Sequence, residues 1–135
     1  MSQKVFLDSG IFIAFLNRRD EWHDQAVHLF QGPKPAWYTS LLVVSETYSW
    51  FLHRMGEEAA RSFLSLLRHL PGLKLLEASR AQHEAVLKKL GEFRGTKLTY
   101  VDASSLCFLE RRGIRRVWAT DRHLGISGVE LFPRG

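Results

Sequence analysis

The sequence predicts an α/β fold, a layered sheet with helices on both faces, and three observations carry that prediction. Short apolar stretches alternate with longer segments of helical periodicity along the whole chain. The first stretch, Lys4-Val5-Phe6-Leu7, is apolar without alternation, the pattern of a strand covered on both faces of a parallel sheet. No linker, internal repeat or low-complexity tract interrupts the sequence, so residues 1–135 are read as a single domain.

Each element follows from local chemistry. After Lys4–Leu7, Asp8-Ser9-Gly10 punctuates the chain and Ile11–Leu16 continues as helix. Asp20–Phe30 is a second helix, with Trp22, Ala26, Leu29 and Phe30 at helical spacing, ended by Gly32, Pro33 and Pro35. Ala36–Thr39 is the next strand; Ser40 is placed to cap a helix over Leu41–Met55, and Gly56 to close it. Glu57–Leu70 is helical with Ala60, Phe63, Leu64, Leu67 and Leu70 on one face, and Pro71-Gly72 stops it. Leu73–Leu76 is a third strand, after which Ser79 and Gln82 have capping-box spacing for a helix to about Leu90. The polar segment Gly91–Thr99 is read as a loop near a functional edge. Asp102–Arg112 is a helix closed by Gly113, Val117–Thr120 a fourth strand, Asp121–Leu124 a short helical turn and Val129–Phe132 the final strand.

Composition narrows the class. With 45% hydrophobic and 24% charged residues the chain is a folding sequence and not a disordered one. Its longest apolar run, Ile11–Leu16, is too short to span a membrane. A lone cysteine, Cys107, excludes an internal disulfide and a cysteine zinc cage; with no signal-like start, the expected location is the cytoplasm. Nineteen Lys and Arg against 14 Asp and Glu give +5, a lean towards a polyanionic partner.

The acidic residues are more specific. Asp8 and Asp121 each follow a strand, and Asp102 opens a helix; each taken alone reads first as an N-cap. Glu46 does not, because Leu42 and Val43 share its helix face and no Lys or Arg stands one turn away to pair with it. Open parallel sheets gather ligands at strand carboxyl ends, where Asp8 and Asp121 lie. Two carboxylates about 5 Å apart repel by about 3 kcal/mol at an effective dielectric of 20, so such a cluster takes up protons or holds a hard cation. Oxygen ligands without His or Cys select Mg²⁺ or Mn²⁺ over zinc. Setting the four acids aside leaves 19 basic against 10 acidic groups, about +9, an acidic pocket in a basic body. Arg18, Arg19, Arg94, Lys97 and Arg122 are the rim residues nearest these acids in the sequence, suited to phosphate contact.

Four blocks, Val5-Phe6-Leu7-Asp8-Ser9, Ser45-Glu46, Tyr100-Val101-Asp102-Ala103-Ser104 and Ala119-Thr120-Asp121-Arg122-His123, resemble in order and spacing the acidic blocks of PIN domains. The small VapC-type toxin ribonucleases are the most similar subgroup. The resemblance implies a three-layer α/β/α sandwich around a mostly parallel sheet of four to five strands, and metal-dependent cleavage of RNA phosphodiester bonds. By the same resemblance Asp8 and Asp102 are the principal metal ligands, Glu46 and Asp121 complete the site, and the Ser9 and Thr120 hydroxyls orient carboxylates or water. It further implies a homodimer and a small antitoxin partner, with Tyr48, Trp50, Phe51 or the helix after Gly56 as possible surfaces; Trp50 itself reads as core.

Other chemistries fail on spacing. His83-Glu84 begins an HExxH pattern whose last histidine is Leu87, and neither GxSxG nor GxxxxGK[ST] occurs. The histidines are read as surface residues and Cys107 as core packing. Two alternatives share the sequence features: a free-standing RNA-processing nuclease without antitoxin, and a non-catalytic RNA-binding module whose acids are caps.

Overall fold

The computed structural model describes residues 2–134. Five strands, β1 (Lys4–Leu7), β2 (Ala36–Ser40), β3 (Lys74–Leu76), β4 (Arg116–Trp118) and β5 (Glu130–Phe132), form one sheet in the order β3-β2-β1-β4-β5, every pair parallel. Six helices connect them: α1 (Ser9–Leu16), α2 (His23–Gln31), α3 (Leu41–Met55), α4 (Glu57–Arg68), α5 (Arg80–Glu92) and α6 (Tyr100–Arg112). The chain runs outward from β1 through β2 to β3, then returns across the sheet to β4 beside β1. Right-handed crossovers therefore place α1–α4 on one face and α5–α6 on the other, the three-layer arrangement expected. The strand order reverses between β1 and β4, and that is where an open sheet forms its crevice.

Register explains the packing. Val5 pairs with Trp37, and Leu7 with Trp118, so these side chains share a face, with the Trp37 and Trp118 rings 5.1 Å apart and edge to face. Phe30 of α2 stacks on Trp37 at 5.6 Å and Phe15 of α1 meets Phe30 at 4.7 Å, an aromatic layer between sheet and helices. On the other face α5 and α6 run parallel, since His83 meets Tyr100 and Lys89 meets Glu110 further along both helices. The segment 93–99 therefore carries the chain back along the length of α5 before α6 can start.

Several boundaries differ from expectation, each for a local reason. Helix α1 starts at Ser9, so Gly10 lies inside it. Helix α2 starts at His23, because the Asp20 side chain turns the preceding segment by accepting the Trp22 N–H at 2.8 Å. Helix α4 ends at Arg68 and leaves Leu64 exposed, while α5 runs through Gly91 to Glu92. The capping box expected at Ser79 and Gln82 forms only its Ser79 half, because the Gln82 amide is buried and donates to the Ser104 carbonyl and hydroxyl. The complete box stands at Thr99 and Asp102, so α6 begins at Tyr100 and Asp102 is its third residue, not its opening one. Strand β4 stops at Trp118, and the turn after it is a 3-10 segment, His123–Ser127, later than Asp121–Leu124. Cys107 is buried between α5 and α6 with Val86 and Ala103.

Candidate active site

A cavity of about 380 Å³ opens at the carboxyl ends of β1 and β4, and Asp8, Glu46, Asp102 and Asp121 all line it. Ser9 and Thr120 line it too. Asp8 arrives at the end of β1, its N–H donating to the Trp118 carbonyl of β4 at 3.0 Å, so sheet pairing itself aims the residue at the crevice. Asp121 follows β4, and its Oδ1 accepts the His123 N–H at 2.9 Å. Asp102 is fixed by the capping box: its Oδ2 accepts from Thr99 N at 3.2 Å while its own N–H donates to the Thr99 hydroxyl at 3.1 Å. On α3, Val43, Thr47 and Phe51 make the buried row. Glu46 stands beside that row and not within it, exposed, sharing the pocket wall with Trp50 one turn on.

The N-cap reading of these aspartates holds unevenly. Asp8 makes no side-chain cap bond to α1 and is only 5% exposed. Burial, above all, pushes its carboxyl up from 3.8 to about 7; the Ser9 backbone N–H pulls the other way, and the charges of Asp102, Glu46 and Asp121 add to the rise. Glu46 is also raised, by desolvation first, against a hydrogen bond from the Ser9 hydroxyl, with Asp102 and Asp121 adding repulsion. Ser9 thus serves two carboxyls, one through its backbone and one through its side chain. A buried acid among three others is a site that gains from a positive charge.

The donor set fits a hard divalent ion. Among the described residues no group of three or more His, Cys, Asp or Glu side chains is already placed to hold a metal. A magnesium-class ion does not require one, since it usually keeps several waters and takes one or two carboxylates directly. The pocket has room for such a hydrated ion.

The structure also corrects the sequence reading. An imidazole is present after all: His123 lines the pocket, with Nδ1 3.2 Å from Asp121 and 3.5 Å from Asp102. Asp20, read from sequence only as a helix start, is a fifth acid in the wall. Trp50, read as core, packs against the core and lines the pocket as well. Gly10 is the least visible of these: a Cβ there would lie 2.2 Å from the Thr120 hydroxyl, so only glycine lets α1 approach the end of β4. Of the five basic candidates none lines the cavity itself. Arg18, Arg19, Arg94 and Lys97 are exposed; Arg19 adjoins Asp20 of the wall in the chain and Lys97 stands two residues before Thr99, whereas Arg94 lies at the far end of the segment that returns along α5. Arg122 is engaged elsewhere, donating to the Pro133 carbonyl at 2.7 Å and lying 5.2 Å over the Trp22 ring. A larger cavity, about 570 Å³, opens beside Lys34, Arg116 and Phe132, but no carboxylate lines it and it offers no comparable chemistry.

Comparison with known proteins shows the family and the fold. The family model described as PIN domain matches residues 5–126. The 23S rRNA-specific endonuclease VapC20 of Mycobacterium tuberculosis is 25% identical over 130 residues, spanning 96% of this chain and 98% of that protein. The crystal structure of that species' VapC20, described as a Sarcin-Ricin loop cleaving toxin, superposes with a TM-score of 0.84 at 23% identity, covering 93% of this chain and 95% of that one. VapBC-1 from nontypeable Haemophilus influenzae superposes at 0.65 with 13% identity, covering 96% of each chain.

Proposed function

The chain belongs to the PIN domain family, and from that premise we propose that it is an Mg²⁺- or Mn²⁺-dependent endoribonuclease, the toxin of a type II toxin–antitoxin pair. The observation that carries the reading is the convergence of Asp8, Glu46, Asp102 and Asp121, from four separate segments, on one cavity at the strand-order reversal. A non-catalytic RNA-binding module has no use for a buried acid that caps nothing.

Asp8 and Asp102 would hold the ion, and Glu46 and Asp121 would complete its surroundings directly or through water. When bound, the ion supplies Lewis-acid polarisation of the phosphate and a lowered pKa for water. Asp8, its carboxyl pushed up to about 7 by burial, would have to release its proton to serve a cation at neutral pH. Ser9 lines the same wall, and its N–H and hydroxyl favour the charged forms of the Asp8 and Glu46 carboxyls. The Thr99 and Asp102 capping box fixes Asp102 Oδ2, the oxygen that His123 Nδ1 also approaches in the pocket. Thr120, close against Gly10, sets where Asp121 leaves the sheet. Arg18, Arg19, Arg94 and Lys97 draw the RNA backbone to this rim.

The name of VapC20 makes 23S rRNA the first substrate to try. The remaining partners in this reading are a second copy of the chain and a small antitoxin that blocks the mouth. The test is cleavage of RNA by purified protein with Mg²⁺ or Mn²⁺, its arrest by EDTA, and its loss in Asp8→Asn. Cleavage that survives either EDTA or that substitution removes the assignment.

A further inference from the structure

We propose that Tyr100, braced by His83, is a stacking platform for an unpaired nucleobase beside the scissile phosphate. The inference rests on the ribonuclease reading above and adds the part of the substrate that this wall contacts.

The chain has nine Phe, four Trp and three Tyr. All of them except Tyr100 belong to the main hydrophobic core or pack against it. Tyr100 is the one aromatic among the described residues that is exposed, at 37%. Its position is specific: it follows Thr99 and precedes Asp102 by two residues, and both of those line the acidic cavity. Helix α6 does not need an aromatic ring at its first position, where aromatic residues are middling helix formers. The ring is nevertheless held in place. Its hydroxyl is 2.9 Å from His83 Nδ1, and the two rings stack at 5.8 Å and 30°. His83 holds the hydroxyl end of the ring, and 37% of Tyr100 remains open to solvent.

An exposed, immobilised aromatic beside a phosphate site is what single-stranded nucleic acid recognition uses, because every base presents a π-face. Thr99, which lines the cavity, is the adjacent residue, its Cα about 3.8 Å from that of Tyr100, so the ring belongs to the edge of the cavity and not to its lining. The platform selects unpaired over paired RNA: a base in a duplex is already stacked on its neighbours and cannot lie on Tyr100 without leaving them.

The test compares wild type with Tyr100→Phe, Tyr100→Ala, Tyr100→Leu and His83→Ala on a single-stranded RNA. A second readout is quenching of 2-aminopurine placed next to a cleavage site blocked by 2′-deoxy substitution. Tyr100→Phe keeps both KM and quenching. Tyr100→Ala raises KM roughly tenfold or more with little change in kcat and loses the quenching; Tyr100→Leu, which keeps apolar bulk without a π-face, does the same. His83→Ala gives a smaller rise in KM. Thermal melts monitor folding, and the Leu variant decides the matter if the Ala variant is unstable. Wild-type cleavage with KM and quenching unchanged in the Ala and Leu variants overturns the stacking platform alone. A wild-type protein that cuts no RNA overturns the ribonuclease reading and the platform with it.

Discussion

Asp8→Asn tests the electrostatics of the site through stability as well as activity. Folding raises the Asp8 carboxyl from 3.8 to about 7, a shift worth at most about 4 kcal/mol at about 1.4 kcal/mol per unit. The sign follows from proton counting: between those values the folded state binds a proton that the unfolded state has released, so stability falls as pH rises through the interval. Without metal, the wild-type protein is therefore most stable below about pH 4 with respect to this group and has lost its contribution above about pH 7. Glu46, raised for similar reasons, tilts the profile the same way. Asparagine removes the buried charge and keeps the shape. At pH 8 in EDTA the variant should melt roughly 10–15 °C above wild type, and the gap should close towards pH 4. Saturating Mg²⁺ or Mn²⁺ should raise the wild-type melting temperature and leave the variant almost unmoved, by mass action on the folded state. Melting curves by circular dichroism across pH, with and without metal, read all of this. An Asn variant no more stable than wild type at pH 8 in EDTA refutes the reasoning, whatever its activity.

The remaining predictions concern the same pocket and its rim. Metal affinity measured by titration should strengthen by about tenfold per pH unit below pH 7, as the Asp8 proton is displaced, and level off above it; a flat profile would take Asp8 out of the ligand set. Gly10→Ala should cost about 1–3 kcal/mol and at least tenfold in kcat, because its Cβ meets Thr120. Adding Thr120→Ala should recover part of the stability, and a silent single variant would contradict the close approach. His123→Ala should weaken metal binding about tenfold by releasing Asp102 and Asp121, as loss of an orienting partner does; unchanged affinity would leave the imidazole no part in holding them. Arg122→Ala should lower the melting temperature and leave the salt dependence of RNA binding unchanged, whereas joint replacement of Arg18 and Arg19 should reduce that slope by up to about 2. The reverse pattern would return Arg122 to the rim.

What was legible in the sequence was what local spacing encodes. Strand β1, its all-apolar pattern and the acid at its end are adjacent residues, and so are the Ser40 cap and the Gly56 stop of α3. Reversal of strand order at the sheet centre follows from connection rules once the strands are identified. Tertiary contacts were not legible. The turn at Asp20 faces the cavity only because the chain doubles back after α1. Gly10 reads as punctuation until Thr120, far away in sequence, is seen against it. Arg122 looks free beside Asp121 because nothing local reveals that Pro133 and Trp22 claim its guanidinium. The parallel packing of α5 and α6 likewise hides the reason for the polar loop, which is the distance that the chain must travel back.

The contest between cap and catalytic acid at these aspartates has a different answer at each position, and the differences are physical. Asp8 caps nothing and is buried, so its backbone environment alone does not account for a carboxyl there. Asp121 uses one oxygen on the His123 amide, a local turn that leaves the residue exposed. Asp102 does cap, reciprocally with Thr99, and this is compatible with serving the pocket. A carboxylate has two oxygens and about four lone-pair sites; one backbone N–H fixes its plane and leaves the rest open. On the proposed reading, the hydrogen bonds that start α6 would also orient the Asp102 carboxylate for an ion. Thr99→Ala should therefore weaken metal binding as well as the helix, and if helix stability falls while metal affinity stays put, Asp102 is a cap and no more.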